Sequence, residues 1–361
     1  MINSITLKNF KCFEEIFIEM SNLNVFAGIN SMGKSTLIQS LLLLRQSYEM
    51  GSINKGLHLN GEITEMGTGY DLLYRNSEKD EVEIYIEYDL NKYHWIYEYN
   101  KDSDFQSLKA CNIIDTKNSN INLFQSTFAY VSAERIGPKR IYKKSYHEVV
   151  EKNQLGYRGE LFADFVAERG LKDKVENSSV IHKSVKSHLL LYQTEAWLSE
   201  ISPGIKITSK KYTKAGLVEV EYGKDGFNPL NIGFGLSYVA PIIVSLLKAK
   251  QGDLIILENP EAHLHPKGQR KMGELIAKAC NGGVQVILET HSDHLLNGIR
   301  LAVKQNKISR NSIRLNYFYQ SNENTKLVHT KCSPAILNDG SLSDWPDGFF
   351  DEWEKAIDEL F

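Results

Sequence analysis

Eight consecutive residues, Gly28-Ile29-Asn30-Ser31-Met32-Gly33-Lys34-Ser35, meet the spacing G-x-x-x-x-G-K-S without a mismatch. Residue types in this order suit phosphate binding. The glycines allow a tight loop whose main-chain N–H groups can crowd around an anion, and a helix beginning at its end adds the positive pole of its dipole. Lys34 would reach the β- and γ-phosphates, and the Ser35 hydroxyl would ligate Mg²⁺. A glycine-rich turn before an ordinary helix has similar composition, so the flanks decide. Leu23-Asn24-Val25-Phe26-Ala27 reads as a buried strand entering the loop, and residues 36–45 read as the helix leaving it. Strand, loop and helix are the order that positions a triphosphate.

Four further stretches could supply chemistry to such a site. Asp253-Leu254-Ile255-Ile256-Leu257-Glu258 is an apolar run ending in an acid. A buried strand of this kind delivers a carboxylate that can hold Mg²⁺ directly or through water. The polar turn Asn259-Pro260-Glu261-Ala262-His263-Leu264-His265-Pro266 follows, and a carboxylate there is placed to orient or deprotonate an attacking water. Glu261, His263 and His265 have poor spacing for one-face metal ligation, with no evident fourth ligand. Residues 284–289 form a second apolar strand, ending in Thr290-His291-Ser292. Helical stretches precede both strands, so parallel pairing is expected, and ligand groups collect at the C-terminal ends of such strands. His291 would then approach the γ-phosphate, although a lone histidine at a strand end is usually structural. Finally, Asn231-Ile232-Gly233-Phe234-Gly235-Leu236-Ser237 opens a helix with two glycines and a serine, a second anion-binding surface. It stands far downstream of the first loop, which points to a nucleotide shared between two copies of the chain.

Composition excludes other classes. Of 361 residues, 42 are Lys or Arg and 45 are Asp or Glu, so the net charge of −3 carries no global nucleic-acid signature. Cys12, Cys111, Cys280 and Cys332 are far apart with no C-x-x-C pair, which favours reduced thiols over disulfides or zinc. The first residues alternate like a strand and lack a signal-peptide pattern. The apolar stretches, such as residues 239–247, are too short to span a bilayer. A cytoplasmic protein with no membrane partner is expected.

Taken together, these stretches resemble the ABC-type ATPases of the RecF, SMC and OLD group, and in particular a Septu-like ATPase of the anti-phage defence branch without a Toprim domain. Ile5-Thr6-Leu7-Lys8-Asn9-Phe10-Lys11-Cys12-Phe13 resembles the group's first strand and turn, and residues 28–35 its Walker A motif. The resemblance assigns nucleotide contacts to Gly28, Asn30, Gly33, Lys34, Ser35 and Thr36. It makes residues 231–237 a signature motif, with Gly235 and Ser237 acting on a partner copy's nucleotide. Residues 257–266 are similar to the Walker B and D-loop, and Thr290-His291-Ser292 to the switch-histidine loop. Tyr130-Val131-Ser132-Ala133-Glu134-Arg135-Ile136-Gly137-Pro138 and Trp345-Pro346-Asp347-Gly348-Phe349-Phe350 also match this branch. One departure concerns Asn259, which stands where relatives place a catalytic glutamate. An amide can orient water but cannot take its proton. Either Glu261 serves as base, or hydrolysis is slow and the protein acts as a nucleotide-controlled clamp; slow hydrolysis assisted by Glu261 is the favoured reading.

The expected fold is therefore α/β: a P-loop NTPase, an ABC-type ATPase head with a mixed sheet and a helical and β insertion. Residues 1–90 and 231–330 would form the nucleotide-binding core, 91–230 the insertion and 331–361 a C-terminal tail. Residues 81–88 alternate strictly, with Val82, Ile84, Ile86 and Tyr88 inward and Glu81, Glu83 and Glu87 in water. Residues 94–97 suit a hairpin partner, and residues 159–201 read as helices. Heptads are not sustained, so no long coiled coil is expected. Gln125 is the candidate Q-loop glutamine, whereas Gln39 and Gln46 read as helix residues. The space after Ser292 is too small for a nuclease domain, so the effector, such as an HNH nuclease, would be a separate polypeptide. The expected activity is slow ATP hydrolysis with Mg²⁺ by a homodimer or higher oligomer that senses or gates that effector. The alternative is a RecF-like DNA-binding clamp in repair. Lys139-Arg140-Ile141-Tyr142-Lys143-Lys144 and Lys210-Lys211-Tyr212-Thr213-Lys214 fit either phosphate contact or solvated faces.

Overall fold

The computed structural model describes residues 1–112, 121–223, 225–231, 233–323, 326–346, 348–350 and 352–361. Ile232, within the 231–237 stretch, and Asp347, within the 345–350 stretch, lie outside the described residues. The chain forms two compact units. One comprises Met1–Gln125, Arg314–Ala335 and Asp344–Phe361; the other comprises Ser126–Ile313 and Ile336–Ser343.

In the first unit, period-2 alternation builds an antiparallel sheet. Its strand order is Phe13–Glu19, Ile2–Phe10, Glu81–Tyr88, Asn91–Glu98, Phe105–Cys111 and Gly56–His58. Leu7 lies opposite Ile16 on one side and Ile84 on the other, and Ile84 lies opposite Trp95, a buried row crossing four strands. The strands Asn91–Glu98 and Phe105–Cys111, assigned from sequence to the insertion, pair within this sheet. On Glu81–Tyr88 the inward set is Val82, Ile84 and Ile86, whereas Tyr88 is only half-buried. The acids of this strand are not fully in water. Glu83 is screened by the stacked rings of Tyr85 and His94, and it accepts hydrogen bonds from both, at 2.5 and 2.9 Å. This unit also holds the strand Leu23–Gly28 and the helix Lys34–Glu49, with Leu37, Ile38, Leu41 and Leu44 in the core. In a separate sheet, Leu23–Gly28 lies beside the strand Ile313–Glu323, which pairs antiparallel with Lys326–Cys332.

In the second unit, Leu254–Glu258 runs parallel to Gln285–Glu289 on one side and Ala129–Val131 on the other. The helix Pro266–Asn281 links the first two as a crossover, with Pro266 at its first turn, where a missing N–H costs nothing. The helix Asp293–Lys304 follows, and Phe234–Lys248 precedes. Parallel strands buried on both faces read as continuous apolar runs, which is what residues 254–257 and 286–288 are. A small antiparallel sheet, in the order Ile207–Tyr212, Leu217–Tyr222, Ile141–Lys143, completes the unit. Between residues 159 and 201 the helices are shorter than the sequence suggests, Phe162–Arg169 and Leu190–Ser199, with Trp197 and Leu198 buried. Among the described residues the longest helices have 16 residues, so there is no long coiled coil. None of them is long and apolar enough to cross a membrane.

Trp95 is fully buried, yet its indole N–H has no hydrogen-bond partner. Replacing Trp95 with Ala should therefore lower stability by about 3–5 kcal/mol, the cost of a large core cavity. Trp95→Phe, which also removes the stranded donor, should lose less than about 1.5 kcal/mol. Urea melts of both variants check this; equal losses would refute it.

Candidate functional site

The residues singled out from sequence fall into two sets, one in each unit. The first is the loop between Leu23–Gly28 and Lys34–Glu49. Gly28 has φ +142°, and a Cβ there would sit 2.3 Å from the Phe318 carbonyl oxygen. Gly33, the residue capping the helix, has φ +99°, and its Cβ would sit 2.3 Å from Cζ of Phe13. Both motif glycines are thus required by backbone geometry as well as by close neighbours. Ser31 adopts a left-handed conformation without that freedom, at φ +67°.

Lys34 is 3% exposed, and its ammonium donates to the carbonyl oxygens of Gly28 at 2.9 Å and Ile29 at 2.8 Å. The helix N-terminus carries no side-chain cap. A cation and helix N–H groups at one loop together favour a nearby negative charge. Asn30 and Ser35 are exposed, whereas Thr36 is buried with its hydroxyl 3.7 Å from the Cys12 sulfur.

A cleft of about 620 Å³ opens on this loop, lined by Ser31, Lys34, Ser35 and Thr36. Its other walls were not evident from sequence. Tyr70, Tyr74, Arg75 and Asn76 contribute two aromatic rings and a cation, and His329 contributes an imidazole. Only proximity in the fold connects them to the loop. Gln39, read from sequence as a plain helix residue, lines the cleft and accepts from Lys11 Nζ at 2.8 Å. Burial holds Lys11 below the ordinary lysine range. Gln46 is structural: it bonds the backbone of His58, Ile63 and Thr64. Gln125 is exposed, and its carbonyl accepts from Arg45.

The second set lies where the parallel strands end. Glu258 is in register with Glu289, and its Oε2 accepts from the Ala133 N–H at 2.9 Å and the Tyr130 hydroxyl at 3.1 Å. Burial pushes the Glu258 carboxyl above the usual carboxylate range. Glu261 is 9% exposed and raised for the same reason. Its Oε1 accepts the His291 N–H at 2.8 Å, its Oε2 has no hydrogen bond, and a hydrogen bond from the Thr290 side chain together with the nearby Arg135 charge favours the ionised carboxylate. A shielded carboxylate with one unengaged oxygen and a raised pKa has the properties of a general base. Asn259 is left-handed at φ +43°, and its buried Oδ1 is likewise without a partner. His291 contributes its backbone to Glu261 and exposes its ring.

Arg135, quoted from sequence without a role, organises this corner. Its guanidinium donates to the carbonyl oxygens of Ser132 at 2.8 Å, Glu258 at 2.8 Å and Asn259 at 2.7 Å. It also lies 5.4 Å from the ring of Tyr238, on the helix Phe234–Lys248. At the start of that helix, a Cβ on Gly235 would meet the His263 carbonyl oxygen at 2.6 Å. Ser237 is 7% exposed, and its side chain bonds the Tyr222 hydroxyl. Phe227, Leu230 and Phe234, near this helix start in sequence, are more than half exposed.

Among the described residues no group of three or more His, Cys, Asp and Glu side chains could hold a metal ion by itself. Three of the seven cations in the two basic stretches are in ion pairs. Arg140 meets Glu219 at 2.6 Å, and Lys144 and Lys211 meet Glu168 at 2.9 and 3.2 Å.

Residues 23–297 match the protein-family model described as "AAA domain, putative AbiEii toxin, Type IV TA system", and residues 308–360 match a family of unknown function, DUF3696. A 106-residue stretch is 28% identical to "Endonuclease GajA" of Bacillus cereus (strain VD045), covering 29% of this chain and 15% of that protein. The chain therefore corresponds to a small part of that relative's length. The fold is similar to an Smc head domain with an extended coiled coil bound to the C-terminal domain of ScpA, derived from Pyrococcus furiosus. That match has a TM-score of 0.52 and 13% identity, over 99% of each chain. An SmcHead bound to the C-winged helix domain of ScpA also has a TM-score of 0.52 at 13% identity, over 92% of this chain and 97% of that one. At such identity the likeness is one of fold, the ABC-type ATPase head.

Because burial raises Glu258 and Glu261, folding favours their protonated forms. The folded chain then binds more protons than the unfolded one from the ordinary carboxylate value of 4.5 upward. Stability contributed by these two groups should fall as pH rises through that window. Glu258→Gln should flatten the slope; an unchanged pH–stability profile would contradict it.

Proposed function

We propose, from the premise that this chain belongs to the AAA-domain family described by its 23–297 match, that it is an ATP-binding ABC-type ATPase hydrolysing slowly. The observation that carries this reading is the loop in which Lys34 is seated on the Gly28 and Ile29 carbonyl oxygens at an uncapped helix start. Gly28, Asn30, Gly33, Lys34, Ser35 and Thr36 would hold the phosphates. Ser35 and Glu258 would hold Mg²⁺, whose chemistry is to offset phosphate charge during transfer. Each residue by itself has donor chemistry suited to the ion: Ser35 is exposed on the cleft of its unit, and Glu258 in the other unit accepts its two hydrogen bonds at Oε2.

Glu261 is the base in this reading. It can accept a proton from water at its unengaged Oε2, with Asn259 orienting and His291 fixing the carboxylate through its backbone. The amide at 259 makes turnover slow, because it cannot take the proton itself. The exposed Phe227, Leu230 and Phe234 support a second copy docking near the signature helix, with Gly235 and Ser237 in trans. For Ser237 this requires the hydroxyl to turn from Tyr222.

The biological role follows from resemblance. Membership of a family described by a toxin of a toxin–antitoxin system, and partial similarity to an endonuclease, support gating of a separate effector nuclease in bacterial anti-phage defence. A second reading, a DNA-binding clamp, draws on the SMC-head fold.

Native mass measurement tests the ATPase reading. Wild type and Glu261→Gln with ATP and Mg²⁺ should dimerise, Glu261→Gln more persistently, and Lys34→Ala should not bind nucleotide. Phosphate release from Glu261→Gln should fall roughly 100-fold or more, the scale of a lost general base; unaltered turnover removes Glu261 from the mechanism. For the clamp reading, Lys143→Glu with Lys210→Glu should weaken DNA binding and flatten its salt dependence. Unchanged affinity would clear that face.

A further inference from the structure

The turn that carries Glu261 is closed from within by two short bonds. The Ala262 N–H donates to the Asn259 carbonyl at 3.1 Å, and the Leu264 N–H donates to the Glu261 carbonyl at 3.0 Å. Its ends are both left-handed, Asn259 at φ +43° and His263 at φ +63°. Neither is glycine, so each conformation costs energy that neighbouring structure must offset. Glu261 stands midway between them.

One side chain reaches both ends. Tyr238 is half-buried, one turn into the helix Phe234–Lys248. Toward the start of the turn, its ring lies 5.4 Å from the Arg135 guanidinium, which holds the Glu258 and Asn259 carbonyls. Toward the end, the same ring meets the His263 imidazole edge-to-face, with centroids 4.6 Å apart and planes at 66°. Gly235, three residues earlier on the same helix face, closes on the His263 carbonyl so tightly that a Cβ would come within 2.6 Å of it. All of these residues belong to the second unit.

The contacts suit a fixed support. A cation over an aromatic face is attracted by the ring quadrupole, and more strongly where water is excluded. Arg135 is 3% exposed, so its contact with Tyr238 is shielded. Val239, Ala240, Ile242 and Ile243, which follow Tyr238 along the helix, are buried in the core and anchor the ring. The His291 N–H holds only Oε1 of Glu261, so the direction of Oε2 depends on the shape of the turn.

We propose that Tyr238 is a positioning residue for Glu261: its ring spans the two ends of the turn, against Arg135 at one and His263 at the other, and so fixes where the carboxylate points. The proposal rests on reading Glu261 as the base of ATP hydrolysis. It gives the helix behind the signature stretch a task within its own copy of the chain, separate from any contact made on a partner copy.

The test is steady-state and single-turnover phosphate release from ATP with Mg²⁺. Tyr238→Leu should lower kcat roughly tenfold, the scale of a shielded cation–π contact, with KM within about twofold of wild type. Tyr238→Phe, which keeps the ring, should stay within about threefold of wild type in kcat. Combined with Glu261→Gln, Tyr238→Leu should cost less than about twofold more, since a residue that acts through another adds little once that other is removed. Wild-type kcat in Tyr238→Leu, equal losses in the leucine and phenylalanine variants, or a full tenfold further loss in the Glu261→Gln background would each overturn the proposal. Should Tyr238→Leu not fold, the exposed His263→Asn serves instead, because asparagine tolerates the left-handed backbone while removing the ring. It should lower kcat at least about threefold, and unchanged kcat overturns the idea. Glu261→Gln separates the two levels. If it turns over like wild type, the base reading fails and the positioning role with it; if it slows while Tyr238→Leu does not, only the role of Tyr238 is lost.

Discussion

Burying a cation against main-chain carbonyl oxygens is the constraint on which each of the two candidate sets depends. Taking an ammonium or guanidinium out of water is costly unless its donors are satisfied. Lys34 and Arg135 are each 3% exposed, and each is held by carbonyls of the turn it organises. Lys34 draws in the carbonyls of Gly28 and Ile29. Arg135 draws in those of Ser132, Glu258 and Asn259. Carbonyl dipoles satisfy hydrogen bonding without cancelling charge as a carboxylate would. Each cation therefore fixes the shape of its turn and keeps a positive field where anionic chemistry is expected.

Such turns demand unusual backbone. Gly28, Ser31 and Gly33 have positive φ in the first unit, and Asn259 and His263 do in the second. Glycine accommodates this freely, whereas asparagine and serine need support from outside. Asn259 has Arg135 on its carbonyl and Glu289 on its N–H. Left-handed residues that persist only under such support mark places where geometry has been set for a task. The carboxylates follow the same logic. Glu261 is oriented by a backbone N–H rather than by a cation alone, which steadies it without depressing its basicity as far as a salt bridge would.

The sequence was most legible where a local pattern coincides with a tertiary requirement. Gly28 and Gly33 were readable because loop spacing and close packing ask for the same residue. The runs ending at Glu258 and Glu289 were readable because strands buried on both faces must be apolar throughout. Glu83 was misread as solvated, since only pairing with Asn91–Glu98 brings His94 onto Tyr85 to cover it. Helices between 159 and 201 came out shorter because their apolar residues also serve turns and a 3₁₀ segment. His329 carried no signal at all: a histidine on a strand acquires meaning only from the loop it faces.

By itself the chain of residues determined the spacing of the glycine-rich loop and the acid-tipped strands, since these depend on short spacings and hydrophobic period, while the ABC-type head was legible through resemblance to a known family. It also determined what sort of group stands at each candidate position, including the amide at 259 in place of an acid. Only the tertiary structure decided what surrounds those groups: the place of His329 on the cleft wall, the Arg135 clamp, the inward turn of Ser237 and the aromatic wall of the cleft. The physical reason is that hydrogen-bond partners and desolvation are properties of neighbours in space. Those neighbours come from separate strands, turns and helices of the chain, which no local pattern encodes.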